Sequence, residues 1–100
     1  MNLASHEQGL IVVVLGQFRA VERAVLFGSR ALGCARPESD VDLAVTGNLS
    51  DSTLGLLTGE LEELPLPYRF DVQRYDNIRH AGLRRHIDQH GIVIYQRATG

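Results

Sequence analysis

Two aspartates, Asp40 and Asp42, follow a Gly28-Ser29 pair after an interval of ten residues, and this spacing constrains the chain more than any other feature. The segment from Val41 to Thr46 is typical of a β-strand, so Asp40 and Asp42 are expected on one face, about 7 Å apart. Two unpaired carboxylates at that separation repel each other, whereas a hard divalent cation prefers carboxylate oxygens as ligands. The pattern therefore predicts a metal site on a strand.

The Gly28-Ser29 pair directly follows an apolar run, Ala24 to Phe27, that is typical of a buried central strand. Ligands commonly bind outside the carboxyl ends of strands in α/β sheets. A turn at that end can offer backbone N–H groups and the Ser29 hydroxyl to phosphate oxygens. Together with the two aspartates, the turn predicts a site for a metal ion and a nucleoside triphosphate.

These residues resemble the signature of the DNA polymerase β-like nucleotidyltransferase superfamily, and the resemblance extends over about residues 25–72. At this length the chain is similar to the minimal nucleotidyltransferases of that superfamily, including the MntA-type antitoxins that partner helical HEPN proteins. The resemblance implies a polymerase β-like core in which Asp40, Asp42 and a third carboxylate on a following strand hold the catalytic metal.

Asp71 is the candidate for that third carboxylate. It lies in an alternating segment, Tyr68 to Arg74, in which its apolar neighbours are expected on the opposite face. The resemblance implies that Asp71 helps to hold the metal and to deprotonate the attacking hydroxyl. The alternative interpretation is an exposed strand aspartate that pairs with Arg69 or Arg74.

Gly28, Ser29 and Arg30 are the predicted nucleotide ligands. Arg30 and Gly33 match the Gly-Ser-Arg-Ala-x-Gly extension of the family's motif, and a guanidinium beside the turn suits phosphate oxygens. The family often has a second basic residue where this chain has Leu32. That departure weakens the predicted hold on phosphate but leaves the metal ligands intact.

The resemblance implies a Mg²⁺-dependent transfer of a nucleoside monophosphate, AMP from ATP, with Mn²⁺ as an alternative cation. A tyrosine hydroxyl of a HEPN-type partner is the implied acceptor, and Asp40, Asp42 and Asp71 are the implied catalytic residues. The alternative function is a nucleotide-binding antitoxin or regulatory subunit that acts by contact alone. A domain of this size leaves little surface for an acceptor pocket, so a partner is expected to complete it, with Arg79–Arg85 as a docking surface.

Composition limits the remaining classes. One hundred residues make a single domain, residues 1–100, and a formal net charge of −2 argues against direct nucleic-acid binding. Lysine is absent, which excludes a P-loop lysine, and the single cysteine, Cys34, excludes an internal disulfide. The start shows no signal peptide, and the apolar run from Leu10 to Leu15 is too short to span a bilayer. A cytoplasmic protein with no membrane contact is expected, and a homo-oligomer is left open.

Alternating segments and segments of helical period predict an α/β (α+β) domain with a small mixed sheet covered by helices. The predicted helices are residues 6–20 with a Ser5–Gln8 capping box, a segment capped by Ser50 or Asp51 and stopped by Pro65, and a region from Asp76-Asn77 to a C-cap at Gly91. The predicted strands are residues 24–27, 41–46, 68–74 and 92–95, followed by a frayed tail. Sheet order does not follow from this pattern.

His86 and His90 are spaced i, i+4 and would share a helix face, as paired metal ligands can. The sequence supplies no third ligand and no adjacent glutamate. They are therefore interpreted as polar residues on an exposed helix face.

Overall fold

The computed structural model describes residues 1–98; the last two residues of the predicted domain and tail lie outside the described part. The elements in chain order are α1 (Ser5–Gly16), β1 (Val21–Phe27), α2 (Ser29–Leu32), β2 (Val41–Gly47), α3 (Asp51–Glu62), β3 (Phe70–Arg74), a 3₁₀ turn (Tyr75–Asn77), α4 (Ala81–His90) and β4 (Ile92–Gln96).

The four strands form one mixed sheet in the order β3-β2-β1-β4. Strand β1 runs antiparallel to both of its neighbours, and β2 runs parallel to β3 through the α3 crossover. The predicted α+β class with a small mixed sheet is confirmed. Helix α2 immediately follows β1, so the Gly28-Ser29 turn lies at the carboxyl end of a central strand.

The alternation of side chains along the strands divides the core between the two faces of the sheet. Val41, Leu43 and Val45 lie in the larger cluster, as the sequence predicts, and pack with residues of α1 and α3. The second face carries a smaller cluster under α4, consisting of Val25, Phe27, Ala44, Ile78 and Ile87. Asp42 and Asp71 alternate with residues of the larger cluster, which places both on the α4 face.

The first helix is shorter than predicted, since it ends at Gly16 rather than at residue 20. Arg97 explains the early end, because its guanidinium donates to the carbonyls of Gly16, Phe18 and Val21 and so satisfies backbone beyond the helix. The capping box predicted from Ser5 and Gln8 is displaced by one residue. The Ala4 N–H donates to Glu7 Oε1 at 3.0 Å instead.

The last helix begins at Ala81, not at the predicted Asp76-Asn77. The intervening chain is extended because Ile78 is buried in the smaller cluster, and His80 Nδ1 then caps the helix by accepting from the Leu83 N–H at 3.1 Å. Gly91 is the C-cap as predicted, but its backbone is extended. A Cβ there would overlap Val25, so close packing against β1 accounts for the glycine.

Candidate active site at the ends of β1 and β2

The parallel pairing of β2 with β3 brings two of the three predicted acids together. Asp42 and Asp71 are register partners on the neighbouring strands. Asp40 immediately precedes β2; it and Asp71 are exposed, whereas Asp42 is half-buried. Two carboxylates that the chain separates by 29 positions therefore lie side by side at one end of the sheet.

This arrangement changes the pKa of Asp42. Its burial, followed by the charges of Asp71 and then Asp40, raises the pKa of its carboxyl to about 6, against a smaller opposing effect of Arg30. All three predicted acids thus contribute to one region of negative potential. A bound cation would offset the repulsion among these three carboxylates, so such a region favours cation binding.

The Gly28 turn lies against the same carboxylate. Gly28 has φ +77° and ψ −155°, a conformation that is essentially restricted to glycine. A Cβ at this position would overlap the Asp42 carboxylate. Ser29 follows, half-exposed, and within residues 1–98 its hydroxyl forms no hydrogen bond. The glycine therefore lets the backbone of the turn approach the acid, and Ser29 is the next residue of that turn.

Arg30 is buried, with 4% of its surface exposed. Its guanidinium donates to the Asn2 carbonyl at 2.8 Å and the Ser39 carbonyl at 2.8 Å, and it stacks on the Tyr68 ring at 4.1 Å. Longer bonds reach two carbonyls of the same loop, those of Arg36 and Pro37. Phosphate binding by Arg30 stays a prediction, and its present partners support a structural role: it fixes the loop that leads to Asp40.

Replacing Arg30 with alanine should lower the free energy of unfolding by about 2–4 kcal/mol, because several part-buried carbonyls lose their donor at once. Arg30→Lys should recover little of this loss, since an ammonium cannot reproduce the fork or the stacking. Urea unfolding measures the effect, with Arg36→Ala on the exposed part of the same loop as the control. Equal stability of Arg30→Ala and Arg36→Ala would contradict the structural role.

The sequence interpretation of His86 needs correction. The residue is half-buried, and its Nε2 accepts a hydrogen bond from the Gly28 N–H at 2.9 Å. Its ring also meets Phe27 edge-on, with centroids 6.3 Å apart. His90 is exposed, as interpreted, and its ring centroid lies 5.6 Å from that of His86. The i, i+4 spacing pointed to a shared helix face but gave no sign that this face meets the Gly28 turn.

Within residues 1–98, no group of three or more histidine, cysteine, aspartate or glutamate side chains is arranged to hold a metal ion. The donor chemistry of Asp40, Asp42 and Asp71 nevertheless fits a hard cation, because all three supply carboxylate oxygens, and burial together with the charges of the other two raises the pKa of Asp42. Mg²⁺ or Mn²⁺ is consistent with this set.

The candidate site is open rather than enclosed. Surface cavities of about 290 and 300 Å³ both include Arg23 and Thr46, toward the other end of the central strands, and neither is lined by the three aspartates. Because Asp40 and Asp71 are exposed, this end of the sheet is accessible to another molecule.

No helix among the described residues has both the length and the apolar character needed to cross a membrane.

Comparisons with known proteins identify the family and the fold. Residues 10–99 match the family described as Polymerase beta, Nucleotidyltransferase. A chain of a toxin–antitoxin complex crystallised with AMP-PNP has a TM-score of 0.75 at 20% identity, over 90% of this chain and 73% of that chain. No curated protein sequence matches the chain.

Two further solved structures share the fold. One is the tri-AMPylated Shewanella oneidensis HEPN toxin in complex with MNT antitoxin, with a TM-score of 0.67 at 18% identity over 90% of this chain and 70% of that chain. The other is the toxin–antitoxin MntA-HepT, with a TM-score of 0.66 at the same identity and coverage. At these identities the likeness establishes the fold, while the family match covers most of the sequence. The predicted resemblance is confirmed, and the chain belongs to the polymerase beta nucleotidyltransferase family.

Proposed function

We propose that this protein is an antitoxin that transfers AMP from ATP to a tyrosine hydroxyl of a HEPN-type toxin. Asp40, Asp42 and Asp71 would hold Mg²⁺, with Mn²⁺ as an alternative, and Ser29 would bind phosphate oxygens. The proposal rests on the position of Asp42. It pairs in register with Asp71 on β3, and the Gly28 turn lies against its carboxylate.

The site residues have separate roles in the proposed reaction. The acceptor oxygen attacks the α-phosphorus of ATP, the bond to the β-phosphate breaks, and pyrophosphate leaves. Asp71 is exposed beside the half-buried Asp42 and would accept the proton of the acceptor hydroxyl. A cation bound to the carboxylates would offset the charge that develops on the phosphates. Gly28 permits the close approach of the turn, since any side chain there would displace the Asp42 carboxylate.

The partner is inferred from the open site and from the fold's relatives. One structure with this fold is a tri-AMPylated HEPN toxin in complex with MNT antitoxin. Another is a toxin–antitoxin complex with AMP-PNP. On this chain, Arg79 precedes α4 and Arg85 lies within it, and both are exposed, so they stay candidates for docking. Arg84 is less available, because it stacks on Tyr75 and donates to the Ile78 carbonyl.

Regulation by contact alone is the second candidate function. One feature favours it: Asp40 and Asp71 are both exposed, so a bound partner could contact these carboxylates directly. In that case the nucleotide site would serve binding, and the partner would be inhibited without modification.

Intact-mass measurement of a HEPN-type protein from the same genome separates these functions. After incubation with this protein, ATP and Mg²⁺, the partner should gain one or more AMP units, and Asp40→Asn should abolish the gain because a metal ligand is lost. Asp76→Asn, an exposed aspartate on the 3₁₀ turn, serves as the control. A partner that is inhibited but unmodified would support regulation by contact, and failure to form any complex would exclude both functions.

A further inference from the structure

His86 makes a contact that links the second face of the sheet to the candidate site. It lies in α4, 58 positions from Gly28, and its Nε2 accepts the Gly28 N–H at 2.9 Å. Because Nε2 is the acceptor, the neutral ring carries its proton on Nδ1. The edge-on contact with Phe27, the last residue of β1, further restrains the ring. Its hydrogen bond therefore acts on the residue where β1 ends and the turn begins.

The Gly28 backbone sets the distance between the turn and the acids. It lies so close to the Asp42 carboxylate that a Cβ would not fit. Glycine adopts its φ of +77° without strain but can adopt many other conformations too, so the surrounding contacts must select this one. Arg30 stacks on Tyr68, which packs against the larger cluster on the other face of the sheet, and it donates to the carbonyls of Asn2 and Ser39. From the α4 face, His86 restrains the turn through its hydrogen bond with the Gly28 N–H.

We infer that His86 is a positioning residue for the nucleotide site, one that acts through the Gly28 N–H. This inference rests on the proposed function, because it assigns the residue a role in binding the triphosphate at the same turn. With the Gly28 N–H held by His86, the turn that carries Ser29 keeps a fixed place against the Asp42 carboxylate. Without that bond the turn would sample other conformations, and nucleotide binding would have to select among them.

Other residues of α4 also pack the helix onto the sheet. Ile87 is buried at 4% exposure in the cluster under the helix, and Leu83 packs against the same cluster. Removal of the imidazole should therefore leave the helix in place while it frees the Gly28 N–H. This difference separates a positioning role from a merely structural one.

The experiment measures two quantities in wild type, His86→Ala, His86→Gln and the control His90→Ala. The first is amide hydrogen exchange at Gly28 by ¹⁵N NMR without nucleotide, and the second is the Kd for ATP with Mg²⁺ by calorimetry. His86→Ala should exchange faster at Gly28 and bind about tenfold more weakly. His86→Gln supplies an amide oxygen near the position of Nε2, so it should restore both values, and His90→Ala should match wild type.

Each contrary result has a separate meaning. Unchanged affinity in His86→Ala would overturn the positioning role, even if exchange at Gly28 were faster. Weak binding in both His86→Ala and His86→Gln would also overturn it, because the acceptor would then not be the cause. If wild type itself fails to bind ATP with Mg²⁺, the proposed function fails first, and the positioning role falls with it.

Discussion

Asp42→Asn should abolish Mg²⁺-dependent binding of ATP and at the same time make the free protein more stable at neutral pH. Asp42 lies between its register partner Asp71 and the Gly28 turn, so its loss should remove the central ligand of the proposed metal site. The same position makes its charge unfavourable when no cation is present. Opposite effects on binding and stability are the expected signature of a functional carboxylate.

The direction of the stability effect follows from the pKa. Burial and the neighbouring carboxylates raise the pKa of Asp42 from its ordinary value of 3.8 to about 6, so the folded state holds this proton more tightly than the unfolded state does. The resulting stability is fully present below about pH 4 and is lost as the pH rises through about 6. After discounting for solvent screening of a half-buried group, the loss amounts to about 1 kcal/mol.

Urea unfolding at two pH values and calorimetry with ATP test this prediction. Without metal, Asp42→Asn should exceed wild type in unfolding free energy at pH 7.5 and should match it below pH 4. ATP with Mg²⁺ should stabilise wild type but not the variant. Asp76→Asn should behave like wild type in both assays. Equal ATP affinity in Asp42→Asn and wild type, or equal affinity with and without Mg²⁺, would contradict the proposed metal site.

Local patterns predicted the parts of this molecule that depend on neighbouring residues. The alternation around Val41, Leu43 and Val45 gave their burial, and the two-residue period placed Asp42 on the opposite face. The same period separated Asp71 from its apolar neighbours. These predictions succeeded because the orientation of a strand side chain depends on its own backbone.

Contacts across the chain could not be predicted in this way. The register of Asp42 with Asp71 requires that β2 and β3 be adjacent and parallel, and strand order depends on packing that one sequence does not reveal. The hydrogen bond from Gly28 to His86 likewise depends on how α4 packs against the end of β1, which local patterns do not show. The C-terminal end of α1 and the start of α4 differ from prediction because the distant Arg97 decides the first and the buried Ile78 decides the second. Tertiary contacts override local preference at such positions.

Asp71→Asn should reduce the rate of AMP transfer by about 10²–10⁴ while it changes the affinity for ATP far less. The side chain is exposed on the outer strand β3, where its one described hydrogen bond is a 3.4 Å contact from Gln73 Nε2, so the substitution should leave the fold intact. The expected loss comes from the missing proton acceptor, since the amide of asparagine cannot accept the proton from the attacking hydroxyl.

Pyrophosphate release with the acceptor protein present measures the transfer rate, and calorimetry measures the affinity for ATP. Asp76→Asn is again the control, because it removes the same charge from an exposed position on the 3₁₀ turn. A parallel loss of rate and affinity in Asp71→Asn would make the residue a metal ligand without a role in proton transfer. Release that stays at background in wild type, with the partner bound, would favour regulation by contact, because the three acids would then serve nucleotide binding alone.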